Sequence, residues 1–152
     1  MSTSIVLFLH VISVVIWVGG MFLAYMAVRP ATVETLEPPQ RLKLWTGIFR
    51  RFFPWVWGAV VLIVASGFMM MGMMARVPMY VLVMTVVGIV MTAIFVYIYF
   101  VPFVQLRRAV AAEDWKAGGA ALGPIRTLVG TNLILGIINI AVALLGRSIG
   151  AP

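Results

Sequence analysis

The chain has no cysteine among its 152 residues. Disulfides, thiolate metal sites and cysteine nucleophiles are therefore excluded, while the redox compartment stays open. Charge is scarce: 10% of residues are charged, against roughly 25% in soluble domains. Only four residues are acidic, Glu34, Glu37, Glu113 and Asp114, and none lies in an apolar run. A carboxylate proton relay through a membrane has nothing to be built from. A single histidine, His10, stands alone. With no buried carboxylate to orient it, it forms no nucleophile–base pair, which argues against ordinary hydrolase or transferase chemistry.

What the chain has is apolar length. It is 64% hydrophobic with a mean hydropathy of +1.15. A bilayer crossing needs about 20 mostly apolar residues. Four charge-free runs qualify, about 4–28, 53–74, 79–103 and 128–145. They predict an all-α, four-helix up-down bundle in a single transmembrane domain over 1–152. The first run lacks a basic leader, is long, and meets Arg29 directly, so it reads as a span rather than a cleaved signal.

The net charge is +7 and the pI near 10.9. These cations lie between spans, so they speak for the lipid bilayer as partner and not for nucleic acid. Nine of the eleven basic residues fall in 29–52 and 104–127; the others are Arg76 and Arg147. By the positive-inside rule those two segments are cytoplasmic and both termini face outward, as expected in a bacterial-type inner membrane. Residues 40–52, with Leu42, Leu44, Trp45, Ile48 and Phe49 at helical spacing, predict an interfacial amphipathic helix. Trp45, Trp55, Trp57 and Trp115 fit an aromatic belt. The run AGGAALGP, 117–124, reads as a flexible joint.

His10 falls in the outer leaflet in this topology. His10, Ser13, Trp17, Gly20, Met21 and Ala24 form one helical stripe, mixing polar and small residues as an interior face does. The imidazole has two readings. It is either hydrogen-bonded to a carbonyl or an asparagine, or a ligand to haem iron or copper. The outer end of the second span holds Met69, Met70, Met71, Met73 and Met74. They are either apolar packing or soft ligands for Cu(I), or an axial haem ligand. Met70 with Met74, Met69 with Met73, and Met71 with Met74 are alternative pairs on one face. Met84 in the third span lies at a similar depth. Gly19 and Gly20 either permit close helix approach or leave room for a flat macrocycle. Asn132 and Asn139, on one face of the last span, read as interhelical hydrogen-bond partners.

The pattern H-x6-W-x-G-G at His10, Trp17, Gly19 and Gly20 resembles that of CopD-type copper-resistance membrane proteins. It is also similar to HemJ-type protoporphyrinogen oxidases. The runs FRRFFPWVWGAVVLIVASGFMMM and GTNLILGIINIAV resemble the second and last spans of these families. The resemblance implies a helical membrane bundle with a b-type haem or a copper role centred on His10, with Trp17 and Gly20 in the pocket. HemJ-type proteins carry a lysine early in the third span; here Met84 stands nearest, and no span contains lysine. Three functions follow as expectations. The first is a haem b protein for electron transfer or haem handling. In it His10 is an axial ligand, Met70, Met84 or a second subunit fills the sixth position, and Arg76 pairs with a propionate. The second is copper binding or uptake by His10 with Met70, Met71 and Met74. The third is a cofactor-free accessory subunit of a membrane complex. Expected partners are a periplasmic redox or copper-binding protein and a second copy of the chain, packed through glycines such as Gly19, Gly20, Gly67, Gly88, Gly130 and Gly136.

Overall fold

The computed structural model describes residues 2–149; both chain ends beyond them, and the Arg147 and Ile149 side chains, lie outside the described residues. All secondary structure among the described residues is helical. Helix α1 runs Thr3–Leu23, passes through a π-helical turn at Ala24–Val28, and continues as α2, Arg29–Thr35. Helix α3 spans Pro38–Gly72, α4 Met79–Phe100, α5 Pro102–Ala111 and α6 Trp115–Ile149. Four stretches are long and apolar enough to cross a membrane: Thr3–Thr35, Pro38–Gly72, Met79–Ala111 and Trp115–Gly146. Around the bundle α1 packs on α3 and α6, and α4 packs on α6 and α3. Helices α1 and α4 do not lie side by side.

Local chemistry sets the ends. Glu37 and Gln40 form a reciprocal capping box at the start of α3, with Pro38 in the first turn, where its missing N–H costs nothing. Pro102 ends α4 because it disfavours helical backbone at Val101 and lacks a donor, and it then opens α5. The Asp114 carboxylate accepts from the Ala117 N–H at 2.9 Å and caps α6.

The amphipathic stretch 40–52 is helix and leads without a break into the second span as the first turns of α3. One sequence expectation changes. The stretch 117–124 is helix, not a joint. Its glycine is needed for packing: a Cβ on Gly118 would sit 3.0 Å from Leu42 Cδ1 and 3.8 Å from the Ala109 Cβ. Glycine there lets α6 close on α3 and α5, and that contact overrides the intrinsic preference for a turn. Helices α3 and α6, 35 residues each, are about 52 Å long. That exceeds the ~30 Å hydrocarbon layer, so both extend well beyond it at the basic end.

The core is unevenly distributed. At the basic end Phe53 stacks on Phe49 at 5.0 Å and meets Phe95 and Phe103 edge-on at 5.5 and 4.9 Å. Leu106 on α5 is fully buried below them. The opposite, Met-rich end is looser: every buried residue of α4 lies in its second half, and Met79 at its start is 74% exposed. Asn132 and Asn139 behave as expected of interhelical partners. Their Nδ2 groups donate to the Met91 carbonyl at 3.0 Å and the Met84 carbonyl at 3.3 Å. Both Oδ1 atoms are buried without a donor among the described residues.

Asn132 therefore makes one good bond and strands one acceptor. An interhelical bond in a membrane contributes about 0.6 kcal/mol, and a stranded buried acceptor costs about 1–3 kcal/mol. Asn132→Leu, close in volume, is expected to unfold in detergent with a midpoint equal to or above that of the parent. A denaturation series followed by circular dichroism checks this.

Candidate functional site

The stripe on α1 faces the bundle as its composition predicts. Ser13, Trp17 and Met21 are buried, and His10, Gly20 and Ala24 are half-buried. Its members do not converge on one place. Trp17 lies two turns from His10, about 10 Å along the axis, and meets Phe95 edge-on at 6.1 Å. Gly20 serves helix packing, because a Cβ there would lie 2.1 Å from the Phe52 ring. The space over Gly20 is thus filled by Phe52.

His10 meets α3. Its Nδ1 lies 2.9 Å from the Ser66 hydroxyl oxygen. Ser66 is buried, and its hydroxyl points back to the carbonyls of Leu62 and Ile63 on its own helix. A serine hydroxyl has one hydrogen to give. Given to its own helix, as serine does inside helices, it leaves the oxygen to accept from His10. The Nδ1 then carries the ring proton and Nε2 keeps its lone pair. A hydrogen bond from the other ring nitrogen is how proteins orient a metal-binding imidazole. Gly67 completes the seat: a Cβ there would rest 3.5 Å from His10 Cε1, so the ring packs directly over the backbone of α3.

The methionines sort by direction around α3. At about 100° per residue, Met70 falls about 10° from the direction between Ser66 and Gly67, while Met74 follows the helix end at Gly72 and takes no direction from that count. Met71 points about 90° to the side on the same count. Met70 and Met71 are half-buried; Met69 and Met73 are 49% and 53% exposed. Helical side chains lean toward the N-terminus of their helix. Met70 therefore leans over Gly67, toward His10, and Met74 stands in the turn that follows the helix, its N–H on the Met71 carbonyl at 3.2 Å. Met84 stands apart on α4, which does not pack beside α1, and its carbonyl is engaged by Asn139. Arg76 is exposed in the turn between α3 and α4. Among the described residues no group of three or more His, Asp or Glu side chains could hold a metal. Any metal site here is of one imidazole and thioethers, a soft donor set.

A haem ligated by His10 finds no fit in this geometry. The ring lies against Gly67, and Phe52 fills the space over Gly20. A cavity lined from Ala24 onward lies about 21 Å further along the first span, and no histidine lines it.

Ser66 is the residue that sequence reading passed over. Its only signal was a hydroxyl in a charge-free span, beside a glycine and ahead of the methionine run. The family model described as copper resistance protein D, CopD, matches residues 46–145. The matched segment begins within α3 and ends within α6, and so contains Ser66, Gly67 and the methionines, while His10, Trp17 and Gly20 precede it. No curated protein and no solved structure matches the chain.

Proposed function

The chain belongs to the CopD family of copper-resistance membrane proteins, and from that premise we propose that it binds Cu(I) as cargo at its Met-rich end. The ligands are His10 Nε2 and the thioethers of Met70 and Met74. One observation carries the reading: the hydrogen bond between His10 Nδ1 and Ser66, which frees Nε2 and fixes the ring. Thioether and imidazole donors suit Cu(I). The loose packing of this end, with Met74 40% exposed, gives the ion an entry path. The positive-inside rule turns this end outward, so copper is taken from the outer side and held a few turns below the surface. A copper-binding protein outside the membrane is the fitting donor or acceptor.

The test is an anaerobic Cu(I) titration of the purified protein against a chromogenic chelator, with X-ray absorption at the copper edge. One nitrogen and two sulfur scatterers are expected. Met70→Leu/Met74→Leu is expected to weaken binding by at least about tenfold, no less than the loss of an outer-shell partner costs. Met69→Leu/Met79→Leu, which removes two exposed thioethers, leaves it unchanged. A Soret band that depends on His10 would replace this reading with the haem one. Copper binding indifferent to both double variants would end it.

A further inference from the structure

At the basic end a cavity of about 550 Å³ opens between α2, the extended start of α3 and the extended start of α6. Nothing in the copper reading uses it. Three arginines line it, Arg29, Arg41 and Arg126, and no acidic residue does. All four carboxylates of the chain are exposed, and none lines it. Arg29 and Arg41 are themselves half-buried, an expensive place for a cation without a counter-charge. Arg29 lies over the Tyr25 ring at 5.0 Å, which holds it at the cavity wall. Tyr25 is in turn pressed against Gly130 of α6, where a Cβ would lie 2.9 Å from its ring.

Apolar and cationic residues share the cavity's lining: Phe49, Leu122, Ile125 and Val129 stand beside the three arginines. From Gly119 to Val129 it follows α6 for about 15 Å. A site with an apolar wall and three cations matches a molecule with an apolar body and an anionic head. The membrane supplies that molecule in excess. Basic pockets between transmembrane helices on the basic side are the places where anionic headgroups settle.

We propose that this cavity is a binding site for an anionic glycerophospholipid, its phosphodiester held among Arg29, Arg41 and Arg126 and the first part of its acyl chains laid against Phe49, Ile125 and Val129. Bidentate guanidinium contacts suit phosphate oxygens. The lipid fills the space that α2, α3 and α6 enclose.

The test is native mass spectrometry of the full chain released from detergent with equal added phosphatidylglycerol and phosphatidylcholine. Retained phosphatidylglycerol is expected to dominate. Arg41→Gln/Arg126→Gln is expected to lower its retention roughly 25-fold, about fivefold per arginine. Arg50→Gln/Arg108→Gln, which removes two exposed cations from the same end outside the cavity, retains it. Equal retention of both lipids, or equal loss in both double variants, overturns the proposal. So does displacement of the lipid by millimolar inorganic phosphate, which would mark a site for a free anion. A second measurement uses the parent protein alone. Trp45 and Trp115 line the cavity, so brominated phosphatidylglycerol, dilute in a phosphatidylcholine bilayer, should quench fluorescence more than brominated phosphatidylcholine at the same fraction. Equal quenching overturns the proposal as well.

Discussion

His10→Ala is expected to lower Cu(I) affinity by more than the roughly 10–100-fold that loss of an outer-shell hydrogen bond costs a metal site, while the protein folds as before. The imidazole is half-buried, and its Nδ1 bonds the Ser66 hydroxyl. That bond contributes about 0.6 kcal/mol to the bundle, too little to unfold it. Ser66→Ala tests the same site from the other side. It removes no ligand, yet it frees the ring to rotate and to place its proton on either nitrogen. Copper affinity is expected to fall roughly 10–100-fold, an intermediate value. The two variants together separate ligand from orienting group. A chelator competition series on parent, His10→Ala and Ser66→Ala, beside thermal melts of each, provides the check. If Ser66→Ala equals the parent in affinity, the ring is oriented by something else. If His10→Ala equals it, imidazole is not a ligand.

Phe53→Ala is expected to do the reverse: destabilise strongly and leave copper binding alone. Phe53 is 4% exposed and sits at the centre of the aromatic cluster, touching Phe49, Phe95, Tyr99 and Phe103 from α3, α4 and α5. In water, truncating such a ring costs about 3–5 kcal/mol. In a bilayer the transfer part of that cost shrinks, since lipid tails are as apolar as the core. What remains is lost contact around a cavity and several aromatic pairs at about 0.5–1.5 kcal/mol each. We expect a loss near 3 kcal/mol, the lower end of the aqueous range, read as a lower unfolding midpoint in a denaturing detergent series. Ser66 is 13 residues further along α3, about 20 Å away, so the Cu(I) titration should not change. A loss of copper affinity with intact His10 would mean that the two ends of the bundle are coupled.

The spans were legible because charge-free length is a one-dimensional property of the sequence. The inward stripe of α1 was legible too, from small and polar residues at helical spacing, and so were the two asparagines as interhelical partners. What the sequence withheld depends on rotation and on distant segments. No periodicity in α3 alone tells that Ser66, not an asparagine, meets His10, because that follows from the angle at which two helices settle. Rotation about α3 likewise picks out Met70 among the candidate thioethers. Residues 117–124 read as a joint because glycine and proline are turn formers. They are helix because Gly118 fits under Leu42, a residue 76 positions earlier. The basic cavity was hidden for a similar reason: Arg29, Arg41 and Arg126 come from three helices.

The π-helical turn at Ala24–Val28, closed by the Arg29 N–H on the Ala24 carbonyl, carries one residue more than the α-helical turn it replaces. The first span is in effect two rulers joined with an offset of about 100°. On a single ruler Arg29 would lie about 80° around the helix from Met21. With the offset both share one side, so a core residue and a cavity arginine face the same neighbours. Any alignment across this point must allow a one-residue gap. Drawing the turn into plain α-helix at constant length would leave hydropathy untouched yet swing Arg29 about 100° around the helix, whereas deleting one residue between Ala24 and Val28 would restore plain helix with Arg29 still on the side of Met21.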